Sequence, residues 1–173
     1  MFTEDLSDLD GGSTNPESWG AVPTSANATW NAVTCNWSAN GYQLPIEAEW
    51  EFAARGGKMS QGYKYSGSND LGSVAWYGDN SGNKTHVVGT KSANELGVYD
   101  MTGNVSEWCW DWYSEYSSSP QDNPTWPNKG SYRLLRGGSW YDGATYCRVS
   151  VRYVVNPYYS YSDYGFRLCR AIN

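Results

Sequence analysis

From Gly56 to the C-terminus, Gly, Asn, Asp and Ser recur every few residues between short apolar runs. Such punctuation leaves no room for long helices and predicts short strands joined by long loops. The runs are VAWYG, THVVG, GVYDM, NVSEWCWDWY, YRLLRGGSW and YGFRLCRA. In the fourth, Trp108, Trp110 and Trp112 alternate with Cys109, Asp111 and Tyr113. That alternation predicts a strand whose aromatic face is turned to the core, with a sugar-stacking platform as the alternative. Residues 114 to 131 hold three prolines and no periodicity, and read as loop.

Before Gly56 the text is helical. Residues 26 to 37 place Trp30, Val33 and Trp37 near helical spacing, and Asn40-Gly41 stops them. Residues 46 to 55 lie between Pro45 and Gly56-Gly57, with Glu47 and Glu49 at the start and Arg55 at the end, where the helix dipole favours each sign. Trp50, Ala53 and Ala54 form the expected buried face. Two helices followed by strands and loops make an α+β domain. The Gly/Ser-rich residues 1 to 21 read as an irregular segment, and the domain runs from 22 to 173.

Net charge is −6 with no basic run, which argues against nucleic acid or an anionic membrane as partner. No apolar run approaches a membrane span, so no direct membrane insertion is expected, and no secretory signal peptide opens the chain. Aromatics are 16% and charged residues 17%, a balance for a packed fold rather than a disordered one. The four cysteines, Cys35, Cys109, Cys147 and Cys169, form no CxxC pair, and His86 is the single histidine. A zinc site is poorly supported. One or two disulfides or free buried thiols are both open readings.

Residues 140 to 165 differ from everything else. Seven of the fifteen tyrosines fall there, and Lys, Glu, Gln and Met are absent. Tyr, Ser, Gly, Asn and Asp dominate, as in antibody paratopes. Exposed, such a stretch is a binding surface rather than a catalytic centre.

Four segments occur in order: GYQLPIEAEWEFAARGG (41 to 57), ANELGVYDMTGNVSEWCWDWY (93 to 113), LLRGGSW (134 to 140) and GFRLCRA (165 to 171). Together they resemble the sulfatase-modifying factor domain of formylglycine-generating enzymes. The resemblance implies a C-type-lectin-like fold of the formylglycine-generating enzyme subclass, with two helices, short antiparallel strands and long loops. Those enzymes hold copper with two cysteines soon after the RGGS motif. Here the second falls on Cys147 and the first on Asp142, a hard carboxylate where Cu(I) needs a soft thiolate. Oxidase chemistry is therefore not expected; a residual copper oxidase using Cys147 is the alternative. The resemblance also implies a calcium site at Asn104, the Val105 carbonyl and Glu107, hard oxygen ligands of the right kind; a turn held by Asn104 and Glu107 is the plainer reading. Beyond possible calcium, no cofactor is expected.

Within this family, the C-terminal stretch resembles the variable proteins of diversity-generating retroelements. In them, template AAC or AAT codons become NNC or NNT codons, which encode no Lys, Glu, Gln, Trp or Met. The positions open to this are Tyr141, Asp142, Gly143, Thr145, Tyr146, Val151, Tyr153, Val154, Val155, Asn156, Tyr158, Tyr159, Tyr161, Ser162, Asp163 and Tyr164, and every residue there is reachable from such a codon. The resemblance implies a protein ligand and display at the cell surface or outside the cell. Replaceable positions must be exposed and add little to the core. Trp140 and Phe166 are then expected as core anchors, with Arg148, Arg152 and Arg167 as hydrogen-bonding struts. A family member with a Tyr-rich site of fixed sequence, binding carbohydrate or protein, is the other reading. Glu47 and Glu51 as acid/base carboxylates, and Ser139 with His86 as a hydrolase pair, have weak motif support.

Overall fold

The computed structural model describes residues 17, 20–37, 40–121, 124, 127 and 129–170. The irregular segment expected over 1 to 21 lies outside these except for Glu17, Gly20 and Ala21.

Helix α1 spans only Ala28–Asn31, much shorter than the expected 26 to 37. Asn27 caps it by accepting the Trp30 N–H at 3.1 Å. Ala32 already ends it. β-Branched Val33 and Thr34 follow, which favour the helix poorly, and α1 buries no residue that would hold more turns.

Strand β1 (Tyr42–Gln43) precedes α2 (Glu47–Ala54), which fits expectation within a residue at each end. The Glu49 carboxylate reaches back to accept the Ile46 N–H at 3.0 Å, the one half of a capping box that an isoleucine N-cap allows. Gly56 and Gly57, both at positive φ, let the chain leave as a single 3₁₀ turn. The buried residues are Glu47, Trp50 and Ala54, so a carboxylate joins the expected face. A third helix, α3 (Leu71–Val74), starts at Asp70, which accepts the Gly72 N–H.

Four strands form the main sheet, in the order β4 (Tyr153–Val155), β3 (Arg133–Arg136), β2 (Ser106–Trp112), β5 (Tyr164–Gly165). The β4–β3 and β3–β2 pairings are antiparallel, but β2 and β5 run parallel, against the all-antiparallel expectation. Strand β6 (Cys169–Arg170) returns to pair with β1, tying the two ends of the domain together. VAWYG, THVVG and GVYDM form no strand. Asn80, Asn94 and Asp100 bind neighbouring backbone N–H groups and hold these segments as turns.

The core gathers Trp50, Ala54, Met101, Cys109, Leu134 and Val149 on one side, and Tyr65, Leu71, Val74, Ala75 and Cys147 on the other. Strand β2 corrects the sequence reading. Its buried face carries Glu107, Cys109 and Asp111, while Trp108 and Trp110 are half-buried and only Trp112 is buried. The inverted face is satisfied by polar partners. Glu107 accepts the Trp50 indole N–H at 2.7 Å and a two-pronged bond from Arg167. Asp111 accepts the Glu47 backbone N–H.

An ionic knot joins helix and sheet. Arg136, 1% exposed, reaches Glu51 and the carbonyls of Val149 and Val151. Arg152 grips Glu47 with both prongs, at 2.7 and 2.8 Å. A guanidinium fork matched to a carboxylate is a strong, directional pairing. Here it locks the middle of the 141–164 region onto α2.

Candidate functional site

The RGGSW segment sets the site's base. Gly137 and Gly138 have φ of 93° and 70°. A Cβ on Gly138 would stand 2.9 Å from the Cys147 sulfur and 3.0 Å from the Tyr146 carbonyl, so only glycine fits. Backbone bonds from Gly103 to Gly137 and from Trp140 to Asn104 fasten this turn to the strand-β2 approach. Ser139, fully buried, then faces two carboxylates. Asp142 accepts both its N–H, at 2.9 Å, and its hydroxyl, at 2.7 Å, while Asp163 lies 3.1 Å from the same hydroxyl.

Beyond this base opens a concavity of about 400 Å³, the size of a small-ligand or side-chain site. Twelve of the sixteen sequence-predicted positions line it: Tyr141, Asp142, Tyr146, Val151, Tyr153, Val154, Val155, Asn156, Tyr159, Tyr161, Asp163 and Tyr164. Gly143, Thr145, Tyr158 and Ser162 do not. Tyr158 instead starts an edge-to-face chain of rings running through Tyr159 and Tyr161 to Tyr164, with centroids 5.0 to 5.9 Å apart. Tyr164 ends against Trp108 at 5.8 Å. Offset and edge contacts of this kind hold aromatic side chains in fixed relation at no entropic expense to a ligand. Burial, helped by Tyr153 and Asp163, pushes the Tyr164 hydroxyl up to about 12, so it stays a hydrogen-bond donor.

Of the sixteen expected positions nine are exposed, six are half-buried and one, Val155, is buried. Tyr141 is 71% exposed, and Tyr146, Tyr153, Tyr159 and Tyr161 are also open to solvent. Val155 is a correction: at 5% exposure it is part of the core, because its strand pairs with β3 at Arg133. Asp142 is half-buried and holds the Ser139 turn, so it is a positioning residue as well as a lining one. Among the expected struts, Arg152 and Arg167 serve as such, Arg167 also donating to the carbonyls of Tyr99 and Asp100. Arg148 is exposed and has no polar side-chain partner among the described residues. Phe166, expected as an anchor, is 64% exposed, since β5 ends at Gly165 and the chain turns outward.

Three lining residues escaped the sequence reading: Ser106, Tyr132 and Gly138. Tyr132 opens the run YRLLRGGSW, read as a strand rather than as part of the site, and its place just before β3 brings it to the rim. Arg136 was seen only as part of a family motif; its burial next to two helix glutamates could have been suspected from Glu47 and Glu51 sharing a face.

Glu47 and Glu51 carry arginines rather than an open reaction space. The Ser139–His86 pairing does not form: the His86 ring stacks on Trp76 at 3.8 Å and bonds the Ser81 carbonyl. Asn104, at φ 63°, spends both ends of its amide on the His86 backbone. Glu107 has Arg167 as its counter-ion. The trio Asn104, Val105 and Glu107 therefore does not fit a calcium site, and no group of three His, Cys, Asp or Glu fit to hold a metal occurs among the described residues. Cys147 does not fit copper either. Burial, with Asp142 adding to it, pushes its thiol up to about 12, and the position that would give Cu(I) a second thiolate holds Asp142, a hard carboxylate.

With this geometry in view, the chain belongs to the sulfatase-modifying factor enzyme 1-like domain family, whose profile matches residues 17–172. Its α+β fold is the C-type-lectin-like fold of the formylglycine-generating enzyme kind. Among solved structures it is similar to Treponema denticola variable protein 1, with 48% identity and a TM-score of 0.79 over 86% of this chain and 55% of that one. The chaperone protein LppX of Paenibacillus barcinonensis is 43% identical over 72% of this chain and 47% of its own length. The formylglycine-generating enzyme of Streptomyces coelicolor is 35% identical over 82% of this chain and 50% of its own. The chain thus spans about half the length of these relatives.

Proposed function

We propose that this chain is a ligand-binding protein without catalysis of its own, whose tyrosine-rich concavity receives a protein ligand at the cell surface, and whose contact positions are diversified by a retroelement. The observation that carries this reading is the convergence on one open concavity of twelve positions whose residues an NNC or NNT codon can encode. Similarity to a Treponema variable protein supports it. So does the division of labour around the site. Rings at the rim are exposed, while Arg136, Arg152 and Arg167 hold the backbone beneath them through contacts that a rim substitution leaves intact. Tyrosine at such a rim supplies large, rigid contact area. Similarity to a formylglycine-generating enzyme keeps an oxidase reading in view, but a buried, protonated Cys147 beside Asp142 lacks the two thiolates it needs.

The test is a displayed library of this chain with NNC/NNT codons at Tyr141, Tyr146, Tyr153, Tyr159, Tyr161 and Asp163, selected against unrelated soluble proteins. Folded members yielding ligand-specific binders support the reading. A library that folds but gives no more binders than one randomised at exposed α2 residues outside the concavity, such as Glu49 and Phe52, contradicts it.

A further inference from the structure

Resting on that binding reading, we propose that the concavity of this chain receives an arginine side chain of its protein ligand. The argument starts at the base. Asp142 and Asp163 both bring an oxygen to the Ser139 hydroxyl, at 2.7 and 3.1 Å. A hydroxyl has one hydrogen to give. Asp142 is the nearer and also holds the Ser139 N–H. Asp163 is left with a shared hydroxyl as its side-chain partner among the described residues. Neither carboxylate enters an ion pair there.

The wall adds to the imbalance. No Lys, Arg or His lines the concavity. Elsewhere in this molecule Glu47, Glu51 and Glu107 have a guanidinium, while Asp111, Glu95 and Asp100 enter no ion pair among the described residues and accept a backbone N–H instead. Asp142 has such an N–H from Ser139, but the Asp163 side chain has neither a guanidinium nor a backbone N–H among the described residues, and it lines an aromatic concavity that a cation would complete. Tyr141, Tyr159, Tyr161 and Tyr164 provide ring faces, which attract cations most when water is displaced. A guanidinium fits better than an ammonium. It is flat enough to lie on a phenol ring, weakly hydrated, and forked to address two carboxylates at once.

The test selects peptides from a random display library on the whole protein and keeps those lost on a Tyr159→Ala/Tyr161→Ala variant. The expected peptides carry an arginine. Its replacement by citrulline, neutral and of the same shape, weakens binding at least tenfold, and Asp163→Asn in the protein does the same without changing its circular dichroism. The ligand-side replacement leaves the protein untouched, so misfolding cannot mimic it. Concavity-dependent peptides that lack arginine, or tolerate citrulline, overturn this inference while leaving the binding reading standing. Lysine peptides unimproved by arginine overturn the guanidinium assignment. A library that yields no concavity-dependent peptide overturns the binding reading itself, and this inference with it.

Discussion

Asp111 shows how a single buried group shapes this protein's behaviour. Burial pushes its carboxyl up to about 6, against the pull of the Glu47 N–H it accepts. An unfolded aspartate titrates near ~3.9, so the proton favours the folded state. Stability from this group is full below about 3.9 and drains as pH rises through about 6. Asp111→Asn keeps an oxygen for the Glu47 N–H and removes the charge. It is expected to stabilise the protein by on the order of 2 kcal/mol near pH ~7.5, the gap closing toward pH ~4, as read by urea unfolding at both pH values. Arg136→Ala has the opposite sign. It leaves the Val149 and Val151 carbonyls without their donor and Glu51 with only the more exposed Arg55, and should cost about 3 kcal/mol in the same assay. Cys147 is predicted to resist iodoacetamide in the native protein at neutral pH and to label only on unfolding, which mass spectrometry reads directly. Labelling of the native thiol would return copper chemistry to consideration. Six of the seven tyrosines expected at the site line the concavity, and Tyr158 does not. Arg136 was not legible, because nothing in a sequence says that an arginine is buried until two glutamates are found one turn apart beneath it.

Elements were legible where local signals agreed. Helix α2 had Pro before it, two glycines after it and charges at the right ends, and its bounds follow. Strands β2 and β3 lay in apolar runs long enough to read. The stretch 26–37 had the spacing of a helix but neither the propensity nor a buried face to sustain it. The parallel β2–β5 pairing was invisible, since register depends on residues far apart in sequence. Packing rather than pattern also decided which face of β2 turned inward. The turn between β3 and the site makes the element-scale prediction. Gly138→Ala forces a Cβ onto the Cys147 sulfur and the Tyr146 carbonyl at positive φ. It should cost roughly 2 kcal/mol or more and, by displacing the Ser139 turn, weaken ligands bound at the concavity. Tyr146→Ala, on the exposed rim of the same turn, should stay within about 0.5 kcal/mol of the parent. Equal losses from the two would mean that the rim is part of the core.

At the scale of the molecule, the domain separates what must stay from what can change. Ionic pairs and one apolar cluster hold α2 against the sheet, a second cluster packs α3 with Cys147, and β1–β6 ties the ends together. The concavity sits outside these, bounded by loops and two sheet edges. That is the arrangement a replaceable contact surface needs, and it occupies the region where related enzymes keep their thiols. Val155 and Asp142 mark its limits, since both serve the scaffold as well as lining the site. The most direct measurement is the nucleotide sequence at and downstream of the gene in independent isolates. The account predicts a near-copy of codons 136 to 168 with AAC or AAT at the sixteen positions, a reverse-transcriptase gene beside it, and differences between isolates confined to those codons. An unchanged stretch with no such copy, or differences scattered through the scaffold codons, would contradict it.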